Sequence, residues 1–228
     1  RVVASAFSEL LASTDQVIVM GHKYPDLDVL GAVAGVCAIA RKKGVSIQAV
    51  RAPSPYPAEE QTRQLAALPE YQGIFVPPDE ALHLAGPNTR PEQTQVPELL
   101  DSGARIVVID HHRRAASYIE KPALSFHDPY ASSASELVAE LVQYILDTGD
   151  LKRQEAEALL DTKGFTMRTG SRTFETAAFL RKSGADTAQV NKFFQNDLRD
   201  TVTKFHIIQG AHTYRGSIAL ALTDRLLG

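Results

Sequence analysis

Arg105-Ile106-Val107-Val108-Ile109-Asp110-His111-His112-Arg113-Arg114 is an aliphatic run that ends abruptly in three ionisable side chains. The run suits a buried strand, and such a strand has little structural reason to end in Asp-His-His. In open α/β sheets the ligand crevice lies beyond the carboxyl ends of the strands, so these side chains stand where chemistry is done. A second run of the same design, Gln16-Val17-Ile18-Val19-Met20-Gly21, opens into His22-Lys23-Tyr24-Pro25-Asp26-Leu27-Asp28. Two strand ends that each carry His and carboxylates predict one shared site.

Working outward, short β-rich runs alternate with helical patterns, which predicts an α/β domain with a mainly parallel sheet flanked by helices. Strands are expected at 16–21, 45–51, 73–76 and 105–110. Helices are expected at 2–13, 29–43, 59–68, 132–148 and 152–160, the longest of the later ones starting in the cap-rich Ser132-Ser133-Ala134-Ser135-Glu136. From 171 onward the pattern reads as helices at 171–184, 187–196 and 199–213, then a strand at 216–222. Between Asp79 and Val96 the chain reads as loop, although the neighbouring pattern calls for another strand.

With 228 residues, 44% of them hydrophobic, the chain can bury a substantial core. A net charge of −3 argues against a general nucleic-acid-binding surface, which needs clustered Lys and Arg. Cys37, the only cysteine, excludes a disulfide within the chain and suits a reducing cytoplasm; its expected role is a small buried core residue. No apolar run reaches the roughly 18 to 20 residues that span a bilayer, and no signal-peptide pattern opens the sequence. The expectation is a soluble module, and its start inside a helical pattern suggests one cut from a longer protein.

His22, Asp26 and Asp28 follow the spacing His-x3-Asp-x-Asp, which brings an imidazole and two carboxylates within reach of one point. That mixed N/O set suits a divalent cation, with Mn²⁺ favoured over Zn²⁺ because no thiolate takes part. His111 adds a second imidazole, and Asp161, in Leu159-Leu160-Asp161-Thr162-Lys163-Gly164-Phe165, a third carboxylate. Three carboxylates roughly 5 Å apart at an effective dielectric near 20 repel by about 3 kcal/mol per pair, a penalty that bound metal removes. So many ligands favour two metals bridged by one carboxylate, for which Asp28 is the choice.

Plainer roles exist for each group. An Asp-x-Asp loop can be a turn or a helix cap, and a His-His pair can be a surface feature; the conjunction at two strand ends argues for the site. Arg168-Thr169-Gly170-Ser171-Arg172-Thr173 combines guanidinium groups, hydroxyls and a helix start, so it can bind phosphate or simply begin a capped helix. Arg113 and Arg114 can pair with phosphate or be solvated. Ser132, Ser133 and Ser135 can cap the long helix.

At these residues the chain resembles the DHH phosphoesterase superfamily, named for the tripeptide found here at 110–112. The family's His-x-x-x-Asp-x-Asp-x-x-Gly motif matches His22, Asp26, Asp28 and Gly31, and its later Asp-Thr matches Asp161-Thr162. Gly21 to Asp28, Ile109 to Arg114 and Asp161 to Thr173 look most like GdpP-type cyclic-di-AMP phosphodiesterases. The resemblance implies a DHH domain over 1–185, then linker helices and part of a smaller α/β DHHA1 subdomain over 186–228. It implies a hydrolase with two divalent metal ions, Mn²⁺ foremost, that opens cyclic di-AMP to linear 5′-pApA. His22, Asp26, Asp28, His111 and Asp161 would be metal ligands, His112 would face the scissile phosphate, and Asp110 would orient the histidines. Arg113, Arg168, Thr169 and Ser171 would bind substrate. The rival activities are an exonuclease on very short RNA and a module that binds the dinucleotide without cutting it. The implied partner is a small nucleotide and no long nucleic acid, with a homodimer allowed. Membrane-anchored sensory modules are implied upstream of a cytoplasmic catalytic domain.

The chain departs from the family in three places. Family members carry a further strand ending in Asp-Thr-His before an Arg-Pro, whereas here Asn88-Thr89 runs straight into Arg90-Pro91. Ala158-Leu159-Leu160 leaves little room before Asp161, and a Gly-Gly-Gly-His motif is missing near Thr223-Asp224-Arg225. Three defects at core strands are hard for a fold to survive, so the expectation is that stretches of chain are absent at 89–90, 160–161 and 224–225, rather than deleted from the protein.

Overall fold

The computed structural model describes residues 1–22, 26–51, 65–85, 97–101, 103–113, 118–119, 121–160, 169–193, 198–214 and 218–220. The three expected junctions, and most of the expected helix 59–68, lie outside the described residues.

Helix α1 (Val2–Ala12) buries Ala4, Phe7 and Leu11, the spacing of one helical face. Strand β1 (Gln16–Val19) then leads into α2 (Leu27–Lys43), whose ends are chemically marked. The Asp26 carboxylate accepts the Val29 N–H at 3.1 Å, Asp28 sits in the first turn, Arg41, Lys42 and Lys43 fill the last, and Gly44 closes the helix at φ 69°. Acid at the start, base at the end and a left-handed glycine beyond all favour this helix. Strand β2 (Ser46–Val50) runs parallel to β1, with Gln16 opposite Ser46 and Val19 opposite Ala49. Strand β3 (Phe75–Val76) adds to β2, also parallel.

Helix α3 (Pro78–Ala85) occupies the start of the segment expected to be loop. Asp79 and Glu80 in its first turn favour the helix N-terminus, and Ala81 is fully buried, so acid-rich polarity here marks a helix start rather than a loop. Strand β4 (Val107–Asp110) pairs in parallel with β5 (Leu124–His127), a strand the sequence reading does not contain. Helices α4 (Ala134–Ile145), α5 (Arg153–Leu159), α6 (Ser171–Lys182), α7 (Thr187–Phe193) and α8 (Leu198–Gln209) follow. Helix α8 stops short of the expected 213 because His212–Tyr214 (β6) turns into an antiparallel pair with Ile218–Leu220 (β7). The α/β class with mainly parallel pairing therefore holds.

The core is centred on α2, which is buried along almost its whole length and packs against α4 and α5. Val190 of α7 joins the same core. Two glycines permit this closeness. A Cβ on Gly31 would lie 2.3 Å from the Ala158 carbonyl oxygen and 2.4 Å from Ser135 Oγ, and one on Gly35 would lie 2.5 Å from Val138 Cγ1. At the far end of α2, fully buried Glu155 receives Arg41 bidentately at 2.6 and 2.9 Å and the Tyr71 hydroxyl at 2.7 Å, so its charge is matched. This clamp leaves the N-terminal end of α2 to face the strand ends.

Candidate functional site

The loop after β1 delivers His22 and Asp26. His22 Nε2 lies 3.7 Å from Asp26 Oδ1, and that carboxylate holds the ring's pKa above 6.5, outweighing partial burial. Asp26 also caps α2, so the plain role weighed for this Asp-x-Asp loop is real and coexists with its place beside His22.

Asp28 is only 7% exposed and is held from three directions. Its Oδ2 and Oδ1 accept the Ala134 and Ser135 N–H groups at 2.9 and 2.7 Å, and Ser135 Oγ donates to its backbone carbonyl at 2.7 Å. A residue of α2 thus caps the N-terminus of α4. His111 Nε2 completes the set, 3.3 Å from Asp28 Oδ2. Burial alone would raise the Asp28 pKa, but the His111 ring and the two N–H groups outweigh it and leave the carboxyl below 3.8. Asp28 in turn raises His111 above 6.5 against the opposing effect of burial. The Ala131 backbone favours the same protonated ring, yet among the described residues no hydrogen bond of ordinary geometry reaches the buried His111 Nδ1.

The His112 side chain is far more exposed than that of His111. Asp110 Oδ1 accepts both the His112 N–H at 3.0 Å and Nδ1 at 2.9 Å, which ties ring and main chain to one carboxylate oxygen. Asp110 and His112 are thereby held as one local unit. The histidine rings cluster: His111 and His112 have centroids 4.3 Å apart, and His22 and His112 6.2 Å.

The donors fit a divalent cation by type, being imidazole nitrogens beside carboxylates. The His111–Asp28 separation also fits, because two ligands each about 2.1 Å from one ion lie roughly 3 Å apart. Among the described residues, however, the donors come in pairs, and no three of them are close enough to hold an ion. Asp161 and Arg168, the further ligand and phosphate contact expected from sequence, lie outside the described residues.

Of the remaining expected residues, Arg113 is exposed just past the tripeptide, Thr169 is half-buried, and Ser171 is exposed at the first position of α6. Arg172, the second guanidinium of that segment, is turned to Asp128 and Glu140 instead. The α6 start is capped internally: Thr173 Oγ1 accepts the Gly170 N–H at 3.1 Å and donates to Glu136 Oε2 at 2.9 Å. Of the three serines, Ser133 caps α4 by accepting the Glu136 N–H at 3.0 Å, Ser132 Oγ donates to Glu136, and Ser135 serves Asp28. Sequence reasoning missed His127 and Asp128 at the end of β5. The signal was present, since Phe126-His127-Asp128 is a third apolar strand end opening into His and Asp.

The model of the DHH family, N-terminal domain, matches residues 16–162. The chain is 37% identical over 169 residues to the cyclic-di-AMP phosphodiesterase PdeA of Listeria monocytogenes serotype 1/2a (strain 10403S), which covers 69% of this chain and 26% of that protein. It is 38% identical over 170 residues to the cyclic-di-AMP phosphodiesterase GdpP of Geobacillus thermodenitrificans (strain NG80-2), with the same coverage of each chain. The chain thus spans about a quarter of the length of the curated relatives it matches. Among solved structures, an exopolyphosphatase-related protein from Bacteroides fragilis superposes with a TM-score of 0.71 at 16% identity, covering 94% of this chain and 66% of that one. That likeness shows the fold.

Proposed function

Because the chain belongs to the DHH family, with the family's N-terminal domain at residues 16–162, we propose that it is the catalytic part of a phosphodiesterase that hydrolyses cyclic di-AMP to linear 5′-pApA. The observation that carries the reading is the meeting of two distant strand ends, where His111 of the Asp-His-His tripeptide reaches Asp28 of the His-x3-Asp-x-Asp loop at 3.3 Å. The substrate follows from the relatives, which are named for cyclic di-AMP.

DHH phosphoesterases are generally dependent on divalent metal; here the reading is two ions, Mn²⁺ foremost. His22, Asp26, Asp28 and His111, with Asp161, would hold them. When bound, such ions lower the pKa of water and clamp phosphate oxygens. The chain's own part is binding and proton placement. With His112 Nδ1 donating to Asp110, Nε2 is the ring nitrogen left to meet a phosphate oxygen. Arg113, Arg168, Thr169 and Ser171 are assigned to substrate, and the 1–185 and 186–228 division is retained as part of this reading. No helix among the described residues is long and apolar enough to cross a membrane. The placement as a cytoplasmic domain of a longer, membrane-anchored protein, able to pair as a homodimer, rests on the relatives' greater length and on the family resemblance.

The test is turnover of cyclic di-AMP against pApA by the chain with Mn²⁺. Preferential opening of the cyclic substrate supports the reading. Comparable or faster hydrolysis of pApA moves the assignment to short-oligoribonucleotide hydrolysis, and tight binding without turnover makes the chain a binding module.

A further inference from the structure

Strand β5 ends level with the Asp-His-His tripeptide, because the β4–β5 register sets Asp110 opposite His127. Two hydrogen bonds cross there. The Asp128 N–H donates to the Asp110 carbonyl at 3.1 Å, continuing the parallel ladder past its last paired residues. The His127 ring donates from Nε2 to the His112 carbonyl at 2.6 Å. Since a carbonyl can only accept, Nε2 must carry the proton.

The two held carbonyls belong to the residues on either side of His111. Fixing both fixes the rotation of the peptide units between them. The outcome is visible in exposure: the His111 side chain is 12% exposed and turned onto Asp28, while that of His112 is 62% exposed and turned out. Without the His127 bond, the described contacts of the chain beyond Asp110 would be the local Asp110–His112 turn, which moves with the strand end, and the His111–Asp28 pair, which holds the His111 ring and not the His112 carbonyl. The bracket is itself anchored, since the Asp128 carboxylate is paired with Arg172 of α6 and accepts the Tyr130 N–H at 2.9 Å.

We propose that His127 is a positioning residue for the hydrolytic reaction: its ring grips the His112 carbonyl and so sets the division of labour between inward His111 and outward His112. The proposal rests on the phosphodiesterase reading above for its effect on turnover, though not for its effect on local structure. Other things being equal, an outer residue that orients a metal ligand is worth about 10- to 100-fold in metal affinity or activity.

The experiment compares the 228-residue chain with its His127→Leu and His127→Gln variants. Gln can offer an N–H near the position of Nε2, and Leu cannot. Three quantities are measured: kcat and KM on cyclic di-AMP with Mn²⁺, the Mn²⁺ Kd by calorimetry, and metal-free hydrogen exchange of the His112 and Asp128 amides by NMR. The expected result for Leu is a kcat lower by about tenfold or more at a KM within about twofold, weaker Mn²⁺ binding, and faster exchange of both amides. Gln is expected to recover most of each. Leu behaving as the unaltered chain, or Gln as impaired as Leu, overturns the proposal. If the unaltered chain leaves cyclic di-AMP intact, the function assignment falls by itself, and exchange of the two amides alone decides the role of His127.

Discussion

His111 Nε2 stands 3.3 Å from Asp28 Oδ2, and the carboxylate that meets it also caps α4 through the Ala134 and Ser135 N–H groups. One side chain therefore joins three elements: the end of β4, the first turn of α2 and the start of α4. Asp28 is thus a structural residue of the fold as well as the proposed metal ligand. A cation placed there would find a carboxylate whose orientation is already set by two backbone donors, which reduces the ordering cost of binding.

Asp28→Ala should accordingly abolish hydrolysis and also destabilise the fold. Two N–H groups at a buried helix start lose their acceptor, which costs about 1–3 kcal/mol for each group. Asp28→Asn retains one carbonyl oxygen and should recover part of the stability without recovering turnover. Urea unfolding alongside turnover measurements checks both; full activity in either variant would remove Asp28 from the site.

The same pair sets a pH dependence in the absence of metal. His111 has its folded pKa raised above 6.5, first by Asp28, so its contribution is fully present below 6.5 and fades as pH rises through the raised value. Asp28 has its folded pKa lowered below 3.8, so its contribution is present above 3.8 and fades as pH falls through the lowered value. In EDTA, the Tm of the unaltered chain should decline as pH climbs from 6.5 into the alkaline range, and that of His111→Asn should decline less. Identical slopes for the two proteins in calorimetry would contradict the pairing.

The strand ends were legible because an aliphatic run that opens into His and Asp is a local signal. Both β1 with its loop and β4 with its tripeptide carry it in a few consecutive residues. Strand β5 carries a weaker form: Leu124-Ser125-Phe126-His127 is four residues long, follows Pro122, and sets only two apolar residues, split by Ser125, before His127 and Asp128, so the signal is shorter than at β1 or β4. Helix α3 was hidden for a related reason, since Pro78-Asp79-Glu80 begins a helix with the same residues that fill turns. The capping of α4 by Asp28 joins residues 106 and 107 positions apart, and no local pattern encodes such a pairing. Arg172 shows the converse, a guanidinium whose local setting suggested phosphate and whose actual partners, Asp128 and Glu140, come from other elements.

Gly31→Ala is expected to be damaging despite the usual preference of helices for alanine. The added methyl would lie 2.3 Å from the Ala158 carbonyl oxygen, a backbone atom that cannot swing aside, and 2.4 Å from Ser135 Oγ, which serves Asp28. Overpacking of this kind costs about 1–3 kcal/mol. Activity should fall as well, because the α2–α4 spacing positions Asp28. A Tm equal to that of the unaltered chain would show that the helices can separate at no cost.

Cys37 is 1% exposed within α2, and burial, with the Glu155 charge adding to it, pushes its thiol up to about 12. Since the thiolate is the reactive species, it should resist thiol reagents at neutral pH in the folded chain and react promptly in denaturant. Labelling followed by mass spectrometry tests this, and rapid modification under native conditions would mean that α2 opens readily.

The Arg41–Glu155–Tyr71 clamp offers a control that separates folding from chemistry. It lies at the C-terminal end of α2, whereas Asp26 and Asp28 lie at the other, so its loss should act on stability alone. Arg41→Ala leaves fully buried Glu155 without its bidentate partner, and breaking a buried pair costs about 3–5 kcal/mol. The Tyr71 hydroxyl and the Lys152 N–H still donate to Glu155, which places the expected loss at the lower end of that range. Turnover per folded molecule should stay within about twofold of the unaltered chain, since no step assigned to the site passes through this end of the helix. A variant that keeps its stability would remove the clamp as a stabilising element, and one that remains folded yet loses turnover would show that the two ends of α2 are not independent.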